Sequence, residues 1–292
     1  MTTTARPLTE VAARPGRWPR PRISWSALPF PAVVASWATL TLSLLAAWLL
    51  LFVFVLSGVQ QNRSNTVLYS RLRYELSQAI TPIALLRLPL AGGEDLVVVE
   101  GTSSTDLRDG PGHRRDTPLP GQAGTSVLYG RALSYGAPFG GIDRLKARQR
   151  IEVTTGQGVF SYLVEDVRRS GDPLPPALAA NGSRLVLVTA TGSGPVPDNT
   201  LYLDARLVGD AQPAPSGRPS AVAASELAMA SDGSSVITLV FWLQGLVLVV
   251  CAAVWAWYRW GRWPAWCVGL PLVLVVLWGA TNNAAVLLPN LL

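Results

Sequence analysis

Arg184–Gly194, RLVLVTATGSG, is the stretch from which the rest of the chain is read. Five apolar or β-branched residues run from Leu185 to Thr189, stop at Ala190, and give way to a Gly-rich turn. A short apolar run bounded by glycine predicts a buried strand that ends in an open loop. The end of such a strand is a rigid mount on which folds often place reactive side chains. The residue mounted here is alanine, whose methyl group has no chemistry.

Other segments share the strand pattern. Leu85–Leu90 and Leu96–Val99 flank an AGGED turn, and Thr125–Tyr129 follows a Gly- and Pro-rich loop at Gly110–Gly124. Ile151–Thr155 and Val159–Val167 form a hairpin about Gly156-Gln157-Gly158, and Leu201–Val208 is the last run. In the second hairpin strand Phe160, Tyr162 and Val164 alternate with Ser161, Leu163 and Glu165, as a half-buried strand requires. Closing a set of short strands into a barrel removes its exposed edges. The expectation is a mainly β domain over residues 59–209, entered by an amphipathic helix at Gln60–Ile80. A Pro/Ala/Ser-rich tether over 210–235 leaves it.

The remaining chain points to a membrane. Of 292 residues, 49% are hydrophobic and only 14% are charged, which is low for a soluble chain of this length. The uncharged run within 32–58 is long enough to span a bilayer at roughly 1.5 Å per helical residue, and is expected to be an uncleaved anchor. Runs at 236–258 and 266–288, joined by a turn at 259–265, are expected to form a helical hairpin. Trp255, Trp257, Tyr258, Trp260 and Trp263 crowd one end of it, as interfacial aromatics do. Residues 1–31, rich in Arg, Thr and Pro, have no core-forming pattern.

Charge sets the expected orientation. Arg6, Arg14, Arg17, Arg20 and Arg22 against Glu10 put +4 before the first span, and Arg259 with Arg262 put +2 in the hairpin turn. These account for the whole net charge of +6. Three spans place both segments on one side, the cytoplasm by the positive-inside bias, and the β domain outside the cell. A neutral folded domain with juxtamembrane arginines does not predict nucleic-acid binding. Cys251 and Cys267 fall inside the apolar runs and read as packing residues, leaving the outer domain without a thiol.

Three further motifs accompany the LVLVT strand: GPGHRRDTPLPGQAG from Gly110, Gly-x-x-x-x-Tyr-Gly-x-Pro-Phe from Gly130, and TTGQG from Thr154. In this order they resemble sortases, the transpeptidases of Gram-positive cell surfaces, and the actinobacterial class E group most. The resemblance spans roughly Val67–Val208 and implies a sortase-like closed β-barrel. It also implies a cysteine nucleophile at the end of the LVT strand, a histidine after Gly130, and an arginine opening the last strand. This chain has Ala190, Arg131 and, near the arginine position, Asn199 and Thr200.

Those substitutions remove the reaction the resemblance implies. A thiol transpeptidase needs an activated thiolate, a proton-shuttling partner and an oxyanion donor. Ala190 supplies no nucleophile, and the guanidinium of Arg131 stays charged at neutral pH. His113, the only histidine, lies in the GPGH loop and reads as a loop-ordering residue. A substitute triad using His113 with Thr189, Thr191 or Ser193 lacks the strand-turn-helix elbow of such nucleophiles. Nothing in the pattern calls for a metal or other cofactor. The expectation is a degenerate cleft lined by Arg131, Thr189, Ala190, Thr191 and Ser193, which binds or scaffolds a surface protein or sorting-signal-like peptide without cutting it. Ala190→Cys together with Arg131→His is expected to leave folding intact, both sites lining a cleft and not the core.

Two alternatives stand beside it. One is a structural subunit with a collapsed cleft, whose hairpin packs on a partner membrane protein; the other is an active class E-like sortase. Arg114, Arg115 and Asp116 read as solvated loop charges. Asn282 and Asn283, amides in an apolar run, are expected to bond within the hairpin or to another helix.

Overall fold

The computed structural model describes residues 30–58, 82–90, 95–192, 197–215, 217–231 and 233–292. The tail at 1–29, the predicted amphipathic helix at Gln60–Ile80 and Ser193 lie outside these residues. Two compact units are distinguished, 1–46 and 47–292.

Eight strands close into a barrel, in the order β1-β2-β3-β4-β7-β8-β6-β5. They are β1 (Pro82–Arg87), β2 (Asp95–Glu100), β3 (Gly112–His113), β4 (Gly124–Tyr129), β5 (Arg150–Thr155), β6 (Gly158–Arg169), β7 (Ser183–Thr191) and β8 (Asn199–Val208). The expected strands are all present. β3, which the sequence reading placed in a loop, is a two-residue strand pairing parallel to β2 and antiparallel to β4. With glycine and proline beside it, so short a strand carries no periodicity to read.

β7 is buried along nearly its whole length because both of its faces are covered. Leu185 and Leu187 point into the barrel core with Leu128, Ile151, Tyr162 and Leu203. Val186, Val188 and Ala190 point outward into a second cluster with Leu107, Tyr129 and Leu291. A strand buried on two faces reads as a continuous apolar run, which is what LVLVT is. By contrast, β6 buries only alternate residues, Phe160, Tyr162 and Val164.

Helix α1 covers Phe30–Leu51 and continues as a π-helical turn at Phe52–Leu56. Helices α2 (Val236–Trp260) and α3 (Arg262–Val286) pack as a pair. These two are long and apolar enough to cross a membrane, and the described residues hold no third helix that meets the same test. The predicted link at 259–265 shrinks to Gly261, whose φ of 92° reverses the chain where a Cβ would be strained. Trp255–Trp260 and Trp257–Trp266 pack edge to face beside it, with centroids 6.1 and 6.0 Å apart. Cys251 and Cys267 are exposed on the pair rather than packed within it.

The predicted tether lies on the barrel. Ala123 N–H donates to Gln212 O at 2.8 Å, and Gln212 N–H donates to Gly121 O at 2.8 Å. Glu226, in a 3₁₀ turn at Ala224–Glu226, is 4% exposed and pairs with Arg115.

Candidate functional site

The ends of β4, β7 and β8 converge. Tyr129 is the register partner of Val188, and Gly130 N–H donates to Val188 O at 3.0 Å, so the chain leaves β4 beside the end of β7. Ala190 is the register partner of Thr200 across β7 and β8. The three positions singled out in the sequence therefore lie at one end of three neighbouring strands.

A cavity of about 200 Å³ opens at this end. Its lining includes Thr189, Ala190 and Thr191 from β7, with Leu133, Phe139 and Leu201 around them. Thr189 is committed to the scaffold, since its hydroxyl donates to Gly130 O at 2.8 Å. Gly130 is required here because a Cβ would meet the Phe139 ring at 2.4 Å. The hydroxyl of Thr200 donates to Tyr202 Oη at 3.1 Å, so neither threonine is a free nucleophile.

Arg131 departs from expectation. It is 1% exposed and does not line the cavity. Its guanidinium donates to Ser134 Oγ at 3.1 Å and Ser104 O at 2.9 Å, stacks 4.8 Å from the Tyr135 ring centroid, and leaves Nε without a partner. Burial pushes its pKa down to about 10, so it remains a cation at neutral pH. The loop that carries Arg131 pairs with the chain's own Leu291–Leu292. Ala132 N–H donates to Leu291 O at 2.9 Å, and Ser134 donates to Leu292 O from N–H at 3.2 Å and from Oγ at 2.5 Å.

The loop carrying Arg131 is tied to the helices on its other side. Tyr135, at φ 49°, and Ala137, at φ 48°, hold left-handed backbone that non-glycine residues adopt rarely. Tyr135 N–H donates to Ser57 Oγ at 2.9 Å, and its hydroxyl donates to Asn282 Oδ1 at 3.4 Å. Asn282 thus bonds to the barrel rather than within the helical pair. Asn283 bonds within α3, donating to Gly279 O at 2.8 Å. Phe52, Tyr135 and Ala285 form one buried cluster, and Phe52 packs on Trp278 with centroids 4.9 Å apart.

His113 is fully buried on β3, and both ring nitrogens face acceptors: Glu100 Oε2 at 3.1 Å and Pro118 O at 3.0 Å. Its register partner is Leu128, whose partner on β7 is Leu187. Two strand spacings of about 4.8 Å and two residues along the strand separate it from Thr189, too far for a triad. Burial raises the Glu100 carboxyl, but the hydrogen bond and charge of His113, with Arg218 and Arg115, more than offset it and hold its pKa below the usual range.

Charges read as solvated turn out to be paired. Arg114 Nη2 lies 2.8 Å from Asp116, and Arg115 bonds to the buried Glu226, whose pKa burial raises. On the row that contains Thr200, sequence reading missed Arg168 and Asp204. Arg168 Nε lies 2.6 Å from Asp204 Oδ2, and its guanidinium stacks 4.4 Å from the Tyr202 ring centroid. Asp204 has no exposure. A carboxylate in the middle of LYLDARL, buried by register, was the available signal.

Comparison with known proteins supplies similar folds. The family model for the sortase domain matches residues 86–205. Among solved structures the chain is similar to sortase A from Corynebacterium diphtheriae, at 24% identity and TM-score 0.40, covering 49% of this chain and 68% of that one. A sortase E variant from Streptomyces avermitilis gives 27% identity and TM-score 0.37, covering 44% and 88%. Sortase C-1 from Actinomyces oris gives 26% and 0.38, covering 48% and 81%. No curated protein matches the chain.

Proposed function

We propose that this chain is a membrane-anchored, sortase-like protein that holds a surface peptide or protein without transpeptidation. The observation that carries the reading is Ala190, at the end of β7 and opposite Thr200. The methyl group stands where the family resemblance calls for a thiol, beside a cavity of about 200 Å³. Loss of a nucleophile alone removes nearly all covalent turnover and leaves binding in place. Thr189, beside it on β7, and Thr200, opposite it on β8, are hydrogen-bonded away, and His113 is engaged on both sides. The cavity suits one apolar side chain of an extended segment, presented to the ends of β4 and β7.

In this reading α2 and α3 cross the membrane with the Gly261 turn in the cytoplasm, and the run at 32–58 adds a third span. The barrel then stands outside the cell, steadied by the bond from Tyr135 to Asn282.

The test is saturation binding of labelled sorting-signal peptides to the full chain in nanodiscs, with product analysis by mass spectrometry. Saturable binding without cleavage, weakened at least tenfold by Thr191→Trp, is the expected result. Binding indifferent to that cavity-filling change overturns the reading. A second reading, a structural subunit with a closed cleft, draws support from the burial of Arg131 under Leu291–Leu292.

A further inference from the structure

We propose that Pro289–Leu292 is a tethered peptide ligand of the remodelled cleft, and that an outside peptide must displace it to reach Arg131. This rests on the reading of the barrel as a peptide holder and names its resident occupant. The segment begins three residues beyond the last residue of α3, and each of its parts is recognised by a different kind of contact.

Asn290 is fully buried. Its N–H donates to Ala230 O at 2.8 Å. Its side-chain amide donates to three carbonyls, Thr102 O at 3.0 Å, Ser225 O at 2.7 Å and Leu227 O at 3.0 Å. A site made of carbonyls reads an NH2 group and rejects a carboxylate, which has nothing to donate. Leu291 is fully buried in the cluster that contains Ala190, Val188 and Tyr129. The carbonyls of Leu291 and Leu292 take the N–H groups of Ala132 and Ser134. Leu292 N–H donates to Pro289 O at 3.0 Å, so the segment is a tight turn, held by main-chain hydrogen bonds to the barrel and by buried side chains. The ligand class is therefore a turn-forming peptide with asparagine followed by a large apolar residue.

Two features make occupancy a switch rather than a fixed plug. The buried Nε of Arg131 has no partner, so the covered site retains an unused donor. The segment also shares its support with α3: Ser104 Oγ–H donates to Leu288 O at 3.0 Å, and Tyr135 in the same loop as Arg131 reaches Asn282. Displacing the segment loosens the grip of the barrel on α3, and by linkage a movement of α3 opens the cleft. A short tether presents its ligand at millimolar effective concentration, which a free peptide of similar affinity does not overcome.

The experiment uses the full chain in nanodiscs and a labelled Leu-Pro-Asn-Leu-Leu peptide carrying a solubilising lysine tag. Asn290→Asp is expected to raise its affinity at least tenfold over the unmodified protein, and replacing the asparagine of the peptide by aspartate to abolish that gain. Leu291→Ala gives the same gain if Asn290→Asp fails to fold. Equal binding to the unmodified protein and its variants, absence of binding to either variant, or indifference to the asparagine of the peptide overturns the proposal. Thr191→Trp separates the two readings. Sorting-peptide binding that ignores it sinks the cavity reading alone, while failure of the Asn290 exchange sinks the tethered ligand alone.

Discussion

Replacing Asn290 by Asp exchanges one NH2 for an oxygen and is predicted to release the segment that covers Arg131. The amide donates to the carbonyls of Thr102, Ser225 and Leu227. The NH2 group carries two hydrogens, so at about 1 kcal/mol net per bond its loss costs about 2 kcal/mol, and a carboxylate facing three carbonyls away from water brings the total to about 3 kcal/mol. The segment lies at the periphery of the barrel, so the cost appears as local undocking rather than global unfolding. Hydrogen exchange reads it directly, because the amides of Ala132 and Ser134 donate to Leu291 O and Leu292 O. About 3 kcal/mol corresponds to roughly a hundredfold faster exchange at both amides. Gly130, whose amide bonds to Val188 O within the barrel, serves as the control and keeps its rate. A protonated Asp regains one donor, so the acceleration shrinks as pH falls toward the carboxyl range. Unchanged exchange at 132 and 134, or equal acceleration at 130, refutes the reasoning.

Ala190→Cys has the adjoining cavity to take its sulfur, so thermal denaturation is expected to show a change within about 1 kcal/mol and peptide assays no turnover. Arg131→His, by contrast, removes the donor to Ser104 O and the stacking on Tyr135, and is predicted to cost about 1–3 kcal/mol by the same measurement. Arg168→Met leaves the fully buried Asp204 without its cation, for which denaturant titration is expected to show a loss of about 3–5 kcal/mol. Glu100, held below its ordinary value of 4.5, contributes stability that is present above that value and lost as pH falls through its lower folded value. Glu100→Gln is therefore expected to flatten the acid limb of a stability–pH curve, while Glu226, raised by burial, acts with the opposite sign.

The barrel was legible because its strands carry their own evidence. LVLVT announces a strand covered on both faces, and Phe160, Tyr162 and Val164 announce one covered on a single face. That 131, 190 and 200 fall together was legible as well, since each follows or ends a strand and those strands are neighbours. What covers those positions was not. Ser134 and Leu292 are 158 residues apart in the chain, and Arg115 and Glu226 are 111 apart, so no local pattern joins them. Arg131 looked like a cleft residue because the resemblance puts a histidine at that position, whereas here its side chain is buried by contacts distant in the chain. The Pro/Ala/Ser stretch at 210–235 looked like a free tether for a similar reason: its few anchors, Gln212, Arg218 and Glu226, acquire meaning only against the barrel.

The central proposal is that this sortase-like barrel has kept its architecture and lost its reaction. Intact-mass spectrometry of the full chain, incubated with sorting-signal peptides and an amine acceptor, tests it most directly. The predicted result is unmodified protein and uncut peptide. A covalent peptide adduct on Thr189, Thr191 or Ser134, or a transpeptidation product that disappears when His113 is replaced, contradicts it.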